Sequence, residues 1–265
     1  MSRIARAFER AAAERRAALI AYVCAGDPSL EDTVRIVPRL AEAGADVIEL
    51  GIPFSDPIAD GPAIQAASLR ALRSGTTARG VLGAVRRIRE RDPTTPLVLM
   101  TYLNPVLAYG LEAFAADASA AGVDGVIVPD LPVDEAAPLS AALGRVDVDL
   151  VLLAAPTTSS ERLARIGRES RGFLYCVSVA GVTGARSGLP PELPKQLAEA
   201  RARSSVPVAV GFGVSTPDQA RTLAAHADGV IVGSALVSLL HESKGDLDRA
   251  TAFVRGLANA TRRPA

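Results

Sequence analysis

The sequence predicts an α/β fold, a single (βα)8 barrel occupying one domain over residues 1–265. Two observations carry this reading. Eight apolar, strand-like runs alternate with helical patterns, which is the signature of a closed parallel barrel rather than an open sheet. No linker-like stretch interrupts the 265 residues, and barrels of this kind run to about 250 residues as one domain.

Taken in order, residues 2–16 form an amphipathic helix with Ser2 as N-cap and Ile4, Phe8 and Ala11/Ala12 on one face. It is an extra N-terminal helix that covers a barrel end. The first strand occupies 19–24 and is broken by AGDPS before a helix carrying Val34, Ile36, Val37 and Leu40. The second begins at Val47. Further strands fall at 97–101, 125–128, 149–154, 172–177, 208–211 and 229–232. The segments AGAD, AGVD and AHAD, ending at Asp46, Asp124 and Asp228, each lead into a strand, so one αβ junction is used three times. Two strand-to-helix connections, the second and the sixth, are extended. The second holds a loop and two helices, 63–73 and 78–91, broken at Ser74-Gly75; the sixth, SVAGVTGARSGLPPEL, is rich in Gly and Pro. Both open on the C-terminal face, where barrel active sites are built.

Composition narrows the chemistry. Lys plus Arg and Asp plus Glu both number 29, so no excess charge invites nucleic acid or an anionic membrane. No apolar run reaches the ~20 residues of a membrane span, and the N-terminus lacks the apolar core of a signal peptide. A soluble, cytoplasmic protein is expected, with a small molecule or a protein as partner. Cys24 and Cys176 are too few and too far apart for a disulfide framework. The only lysines, Lys195 and Lys244, lie away from strand ends, which argues against a Schiff base; His226 and His241 have no second ligand at metal spacing. The chemistry therefore falls to carboxylates, hydroxyls and backbone amides, with no metal expected.

The stretch VIELGIPFSDPIADG, residues 47–61, sets Glu49 among apolar strand residues just before the strand breaks at Gly51, Pro53 and Pro57, then adds Asp56 and Asp60. An ionised carboxylate in such a run costs several kcal/mol unless it is paired or opens into a site. Two readings fit: a structural ion pair, or a catalytic group. After the seventh strand comes GFGVS and after the eighth GSA, each leading into a helix, so Gly213, Gly233 and Ser234 read as a phosphate site. Ser215 with Asp218 reads instead as a capping box. Asp130, past the fourth strand, either orients a ligand or caps its loop; Tyr102, after the third, either faces the site or fills the barrel rim. Thr183, between Gly181 and Gly184, is the hydroxyl at the centre of the sixth connection.

These residues carry a resemblance. ELGIPFSDPIADG resembles the signature of the tryptophan synthase alpha subunit family, and the likeness continues through GDP at 26–28, TYLNP at 101–105, VPDLP at 128–132, GVTGAR at 181–186, GFGVS and VGSALV, nearly the whole chain in order. The resemblance implies a TIM barrel that splits indole-3-glycerol phosphate into indole and glyceraldehyde 3-phosphate by a retro-aldol reaction. It implies Glu49 as acid/base, Asp60 stabilising charge at the indole nitrogen, and Thr183 closing onto Asp60. Phosphate falls to Gly184, Gly213, Gly233 and Ser234, and the pocket to Tyr22, Ile64, Met100, Tyr102, Tyr175 and Phe212. Tyr22 stands where many members carry Phe, and Met100 where many carry Leu. Asp56, Pro57 and Asn104 match positions that face a β subunit, so an α2β2 assembly is implied, with no cofactor in this chain and pyridoxal phosphate in the partner.

The residues have a logic of their own for that reaction. Cleavage at indole C3 needs a proton delivered to carbon and one removed from a hydroxyl, which suits one desolvated carboxylate of raised pKa beside a second that stays ionised. Three other readings remain: a stand-alone lyase that releases indole, a weakly active allosteric partner subunit, and another phosphate-binding barrel such as a sugar-phosphate isomerase. The last leaves the Glu49–Asp60 loop and the 181–186 loop unexplained.

Overall fold

In the computed structural model of the chain, the described residues are 1–177, 190–211, 213–243 and 246–263. Nine strands form one sheet: β1 (Ala18–Cys24), β2 (Val47–Gly51), β3 (Leu97–Met100), β4 (Gly125–Ile127), β5 (Asp149–Val151), β6 (Leu153–Ala154), β7 (Leu174–Val177), β8 (Val208–Gly211) and β9 (Gly229–Val232). All pairings are parallel, in the order β5-β4-β3-β2-β1-β9-β8-β7-β6. The two ends of that order, β5 and β6, are neighbours in sequence, separated by Leu152 alone. They are two halves of the single strand expected at 149–154, so the sheet is an eight-stranded barrel with one interrupted strand. The interruption is caused from outside the strand: the Leu152 N–H donates to the Ser170 hydroxyl at 3.0 Å, and that hydroxyl donates to the Phe173 carbonyl.

Strand side chains alternate between two environments, as a period of two requires. One set packs outward under the helices, including Leu19, Leu50, Leu99, Val126 and Val230. The other fills the barrel: Ala18, Ile20, Val47, Val98, Ile127, Val151, Phe173, Ala209 and Ile231. The N-terminal helix Arg3–Ala13 closes this inner set from below. Ser2 caps it by accepting from the Ala5 N–H at 3.2 Å, and Phe8 stacks on Phe173 with ring centres 5.7 Å apart. Its buried face is Ile4, Ala7, Phe8 and Ala11. Ala12 is exposed, a correction to the expected face, because residue 12 follows Ala11 by 100° around the helix while Ala7 precedes it by one turn.

The three echoed junctions are three copies of one clamp. The Asp46 carboxylate accepts the Leu19 N–H at 2.9 Å, Asp124 accepts that of Leu97 at 2.8 Å, and Asp228 accepts that of Val208 at 3.0 Å. Each Asp is also held by arginines: Arg10 and Arg16, Arg3 and Arg89, and Arg201 and Arg263 respectively. The clamps tie neighbouring strands together at the barrel's N-terminal end, opposite the face where the long connections lie. Within the second connection the helices run Pro62–Arg73 and Ala78–Arg91, with Ser74 and Gly75 between them.

Candidate active site in the barrel mouth

The same alternation that fills the barrel builds the site one layer higher. Two residues beyond Ile20, Val47, Val98, Phe173, Ala209 and Ile231 come Tyr22, Glu49, Met100, Tyr175, Gly211 and Gly233, all of which line a cavity of about 870 Å³ at the C-terminal mouth. That is within the ~300–1,000 Å³ typical of small-molecule sites. Ile64, Asp60, Gly213 and Ser234 complete the expected residues on its wall.

Glu49 is 1% exposed, and its Oε2 has no hydrogen-bond partner. Among the described residues no cation pairs with it, so the ion-pair reading gives way to the site reading. Burial, and next the charge of Asp60, push its pKa up to about 8. Asp60, 7% exposed, is pushed up by burial to about 6, with the Tyr102 hydroxyl holding it down. The loop fixes Asp60 through its backbone. Its N–H donates to the Pro57 carbonyl at 3.0 Å, its carbonyl accepts from Gln65 at 2.9 Å, and the Ala59 N–H donates to the Tyr102 hydroxyl at 3.0 Å. Tyr102 therefore stands behind the cavity wall and braces the Asp60 loop, with Phe54 stacked on it at 5.4 Å. Neither alternative read from sequence had given it that role.

The two glycine turns differ. The helix Pro217–Ala224 has a capping box between Thr216 and Gln219, one residue later than the expected Ser215–Asp218 pair, and Ser215 donates its N–H and hydroxyl to Gln219 Oε1 at 2.8 and 3.1 Å. The residue types favour this register: a capping box takes Glu or Gln at its fourth position, which Gln219 supplies and Asp218 does not, and Pro217 then sits at the first helical position, where it is tolerated. Those helix-start amides have side-chain partners. The helix Ser234–Glu242 has Gly233 as N-cap with no side-chain cap, and its first intrahelical bond is Val237 N–H to Gly233 carbonyl at 3.0 Å. Gly233 and Ser234 at this uncapped helix start line the cavity, an arrangement suited to an anion. Gly213 lines the wall at φ +47°, where a side chain is disfavoured.

Asp130 accepts the Leu103 N–H at 2.9 Å, capping the start of a helix on another segment rather than its own loop, and it also lines the cavity. Asp56 and Asn104 are exposed and Pro57 is half-buried, on two segments joined by the Ala59–Tyr102 bond. The sequence reading missed two apolar neighbours there, Ile58 at 79% exposure and Leu107 at 54%. It also missed Ile127 and Leu153 on the wall, although both share the inward register of their strands. Thr183, Gly184 and Phe212 lie outside the described residues, and their assignment rests on the resemblance alone.

Fold and cavity together define a class, the (βα)8-barrel enzymes that act on a small ligand held in the barrel mouth. A sequence profile described as "Tryptophan synthase alpha chain" matches residues 8–262. The tryptophan synthase alpha chain of Geobacter sulfurreducens is 52% identical over 262 residues, covering 98% of this chain and 99% of the relative. That of Caulobacter vibrioides is 52% identical over 235 residues, covering 89% and 86%. Among solved structures, Mycobacterium tuberculosis tryptophan synthase superposes with a TM-score of 0.91 at 44% identity, covering 99% of both chains. The alpha chain from Legionella pneumophila subsp. pneumophila gives 0.89 at 40% identity, covering 98% and 97%. The chain belongs to the tryptophan synthase alpha chain family, a family of lyases that cleave indole-3-glycerol phosphate.

Proposed function

We propose that this chain cleaves indole-3-glycerol phosphate to indole and glyceraldehyde 3-phosphate, with Glu49 as the acid/base and Asp60 as the charge-stabilising carboxylate. The observation that carries this is the pair itself: two buried carboxylates on one cavity whose pKa values stand apart, at about 8 and about 6. Near neutral pH Glu49 holds its proton and Asp60 is ionised.

From that state Glu49 delivers its proton to indole C3, and positive charge develops at the ring nitrogen, where Asp60 offsets it. The Glu49 carboxylate so formed takes the proton of the hydroxyl on the carbon attached to C3. The O–H electrons become the aldehyde C=O, the C–C bond breaks, and its electron pair returns to the ring and neutralises the nitrogen. Glu49 ends protonated again, so the cycle needs no external proton. The first-turn amides at Ser234, with Gly213 and Gly233, hold the phosphate. Tyr22, Ile64, Met100 and Tyr175 bound the rest of the ligand.

The chain acts as the α subunit of an α2β2 synthase in tryptophan biosynthesis, in the cytoplasm, with residues 1–265 as one domain. In this family the cofactor, pyridoxal phosphate, belongs to the β subunit. The β subunit docks on the face formed by Asp56, Pro57 and Asn104, and the exposed Ile58 and Leu107 supply apolar area there. No helix among the described residues is long and apolar enough to cross a membrane. The test is to incubate the purified chain with indole-3-glycerol phosphate and measure indole, with and without β subunit. Absence of indole under both conditions refutes the reading, and full activity alone with no complex formed points to a stand-alone lyase.

A further inference from the structure

Tyr22 brings a polar group to the cavity that the mechanism above does not use. It is the cross-strand register partner of Glu49, Tyr22 on β1 beside Glu49 on β2, so the two side chains enter the barrel side by side. The phenol reaches along the wall until its hydroxyl lies over Gly51: a β-carbon on Gly51 would fall 2.1 Å from the Tyr22 oxygen. Only glycine at position 51 leaves room for that oxygen. At its other end the Tyr22 side chain packs beside the phosphate turn, since a β-carbon on Gly233 would sit 3.6 Å from Tyr22 Cβ.

The hydroxyl has no hydrogen-bond partner among the described residues, in contrast to Tyr102, whose hydroxyl accepts from Ala59. Burial, followed by the charges of Cys24, Asp60 and Glu49, pushes the phenol well above its ordinary pKa, so it remains a neutral donor throughout the working range. Tyr22 lines the cavity, so a ligand that fills it packs against this side chain. A buried polar group left unmatched costs about 1–3 kcal/mol, whereas one matched by the ligand adds to affinity. Tyr22 spans the interval between the phosphate turn and the acid/base carboxylate, and in an indolyl glycerol phosphate that interval is occupied by the hydroxylated carbon chain.

We infer that the Tyr22 hydroxyl hydrogen-bonds a hydroxyl of the substrate's glycerol chain and is a specificity residue that selects a hydroxylated linker between ring and phosphate. The inference rests on the proposed cleavage reaction and adds a recognition contact to it. Gly51 is the positioning residue that makes space for the contact.

The test compares wild type and Tyr22→Phe on two ligands. One is indole-3-glycerol phosphate as substrate; the other is 3-(indol-3-yl)propyl phosphate as inhibitor, which keeps ring and phosphate and lacks both hydroxyls. One neutral hydrogen bond has a net value of about 0.5–1.5 kcal/mol, so Tyr22→Phe should raise KM for the substrate roughly 3- to 10-fold. Inhibition by the propyl phosphate should be unchanged or tighter, because the variant has no hydroxyl to leave unpaired. Equal weakening of both ligands, or no change in either, overturns the inference. A wild-type chain that releases no indole refutes the underlying reaction instead, and the two failures are distinct.

Discussion

Replacing Glu49 with Gln should abolish indole release and, above neutral pH, make the protein more stable than wild type. Glu49 ordinarily titrates near 4.5 and in the fold near 8, with burial as the main cause. Below 4.5 the folded and unfolded chains both hold the proton, and Glu49 adds no pH dependence. Between those values the unfolded chain releases the proton while the folded chain keeps it, so stability falls as pH rises; above about 8 the whole penalty is present. At ~1.36 kcal/mol per pH unit the interval corresponds to at most about 5 kcal/mol, and relaxation around a buried charge brings the expectation to about 3–5 kcal/mol. Gln does not titrate, and any cost of its buried amide is the same at every pH. The measurable quantity is the melting-temperature difference, variant minus wild type, at pH 5 and at pH 9. It should move by roughly 6–20 °C in the variant's favour, taking about 2–4 °C per kcal/mol for a chain of this size. Activity should fall at least 10²-fold, the typical loss for a general acid–base group. A difference that stays flat with pH would show that Glu49 is solvated or paired and would refute the reasoning. Retention of more than about a tenth of the activity would remove it from the chemistry.

Other expectations follow from the same site. The pH–rate profile should be bell-shaped between about 6 and about 8, since activity needs Asp60 ionised and Glu49 protonated. Asp60→Asn should lower turnover and move the alkaline limb to lower pH, because the charge that helps raise Glu49 is gone; an unmoved limb would mean that the two carboxylates do not interact. Gly233→Ala places its β-carbon at ordinary contact distance, 3.6 Å from Tyr22 and 3.7 Å from Ile64, so folding should survive. KM for the phosphorylated substrate should rise while binding of free indole holds, and equal loss of both would point to collapse of the pocket. Saturating β subunit should raise turnover about 5–150-fold, the range of coupling energies of ~1–3 kcal/mol. Leu107→Asp should abolish that gain without altering the free chain's basal rate, and undiminished stimulation would move the interface elsewhere.

What could be read in advance depended on whether its cause was local. Strands β8 and β9 match the expected 208–211 and 229–232 because short β-branched runs end at glycines. Glu49 was conspicuous as a carboxylate in an apolar run. By contrast, the break at Leu152 comes from a hydroxyl 18 residues onward, and the bracing role of Tyr102 comes from an amide 43 residues back. Neither leaves a mark in its own neighbourhood. The misplaced capping box is a different failure: both Ser215–Asp218 and Thr216–Gln219 fit the spacing, and the glutamine, with its longer side chain, is the better box partner. Of the proposed partner face, Asp56, Pro57 and Asn104 came from resemblance, while the exposure of Ile58 and Leu107 required the packing to be seen.

The aspartate clamps also bear on how the chain reaches this shape. Each side-chain bond joins residues only 20–27 apart in sequence, Asp46 to Leu19, Asp124 to Leu97 and Asp228 to Val208. Such loops are inexpensive to close. The pairing that completes the ring, Ala18 on β1 with Gly229 on β9, instead brings together opposite ends of the chain. Adjacent strand pairs can therefore be locked one at a time at the lower rim, each by a short-range contact, before the ring exists. Closing the ring carries a larger loop-closure cost than any of the clamps, and the cavity that holds Glu49 is complete only once it closes.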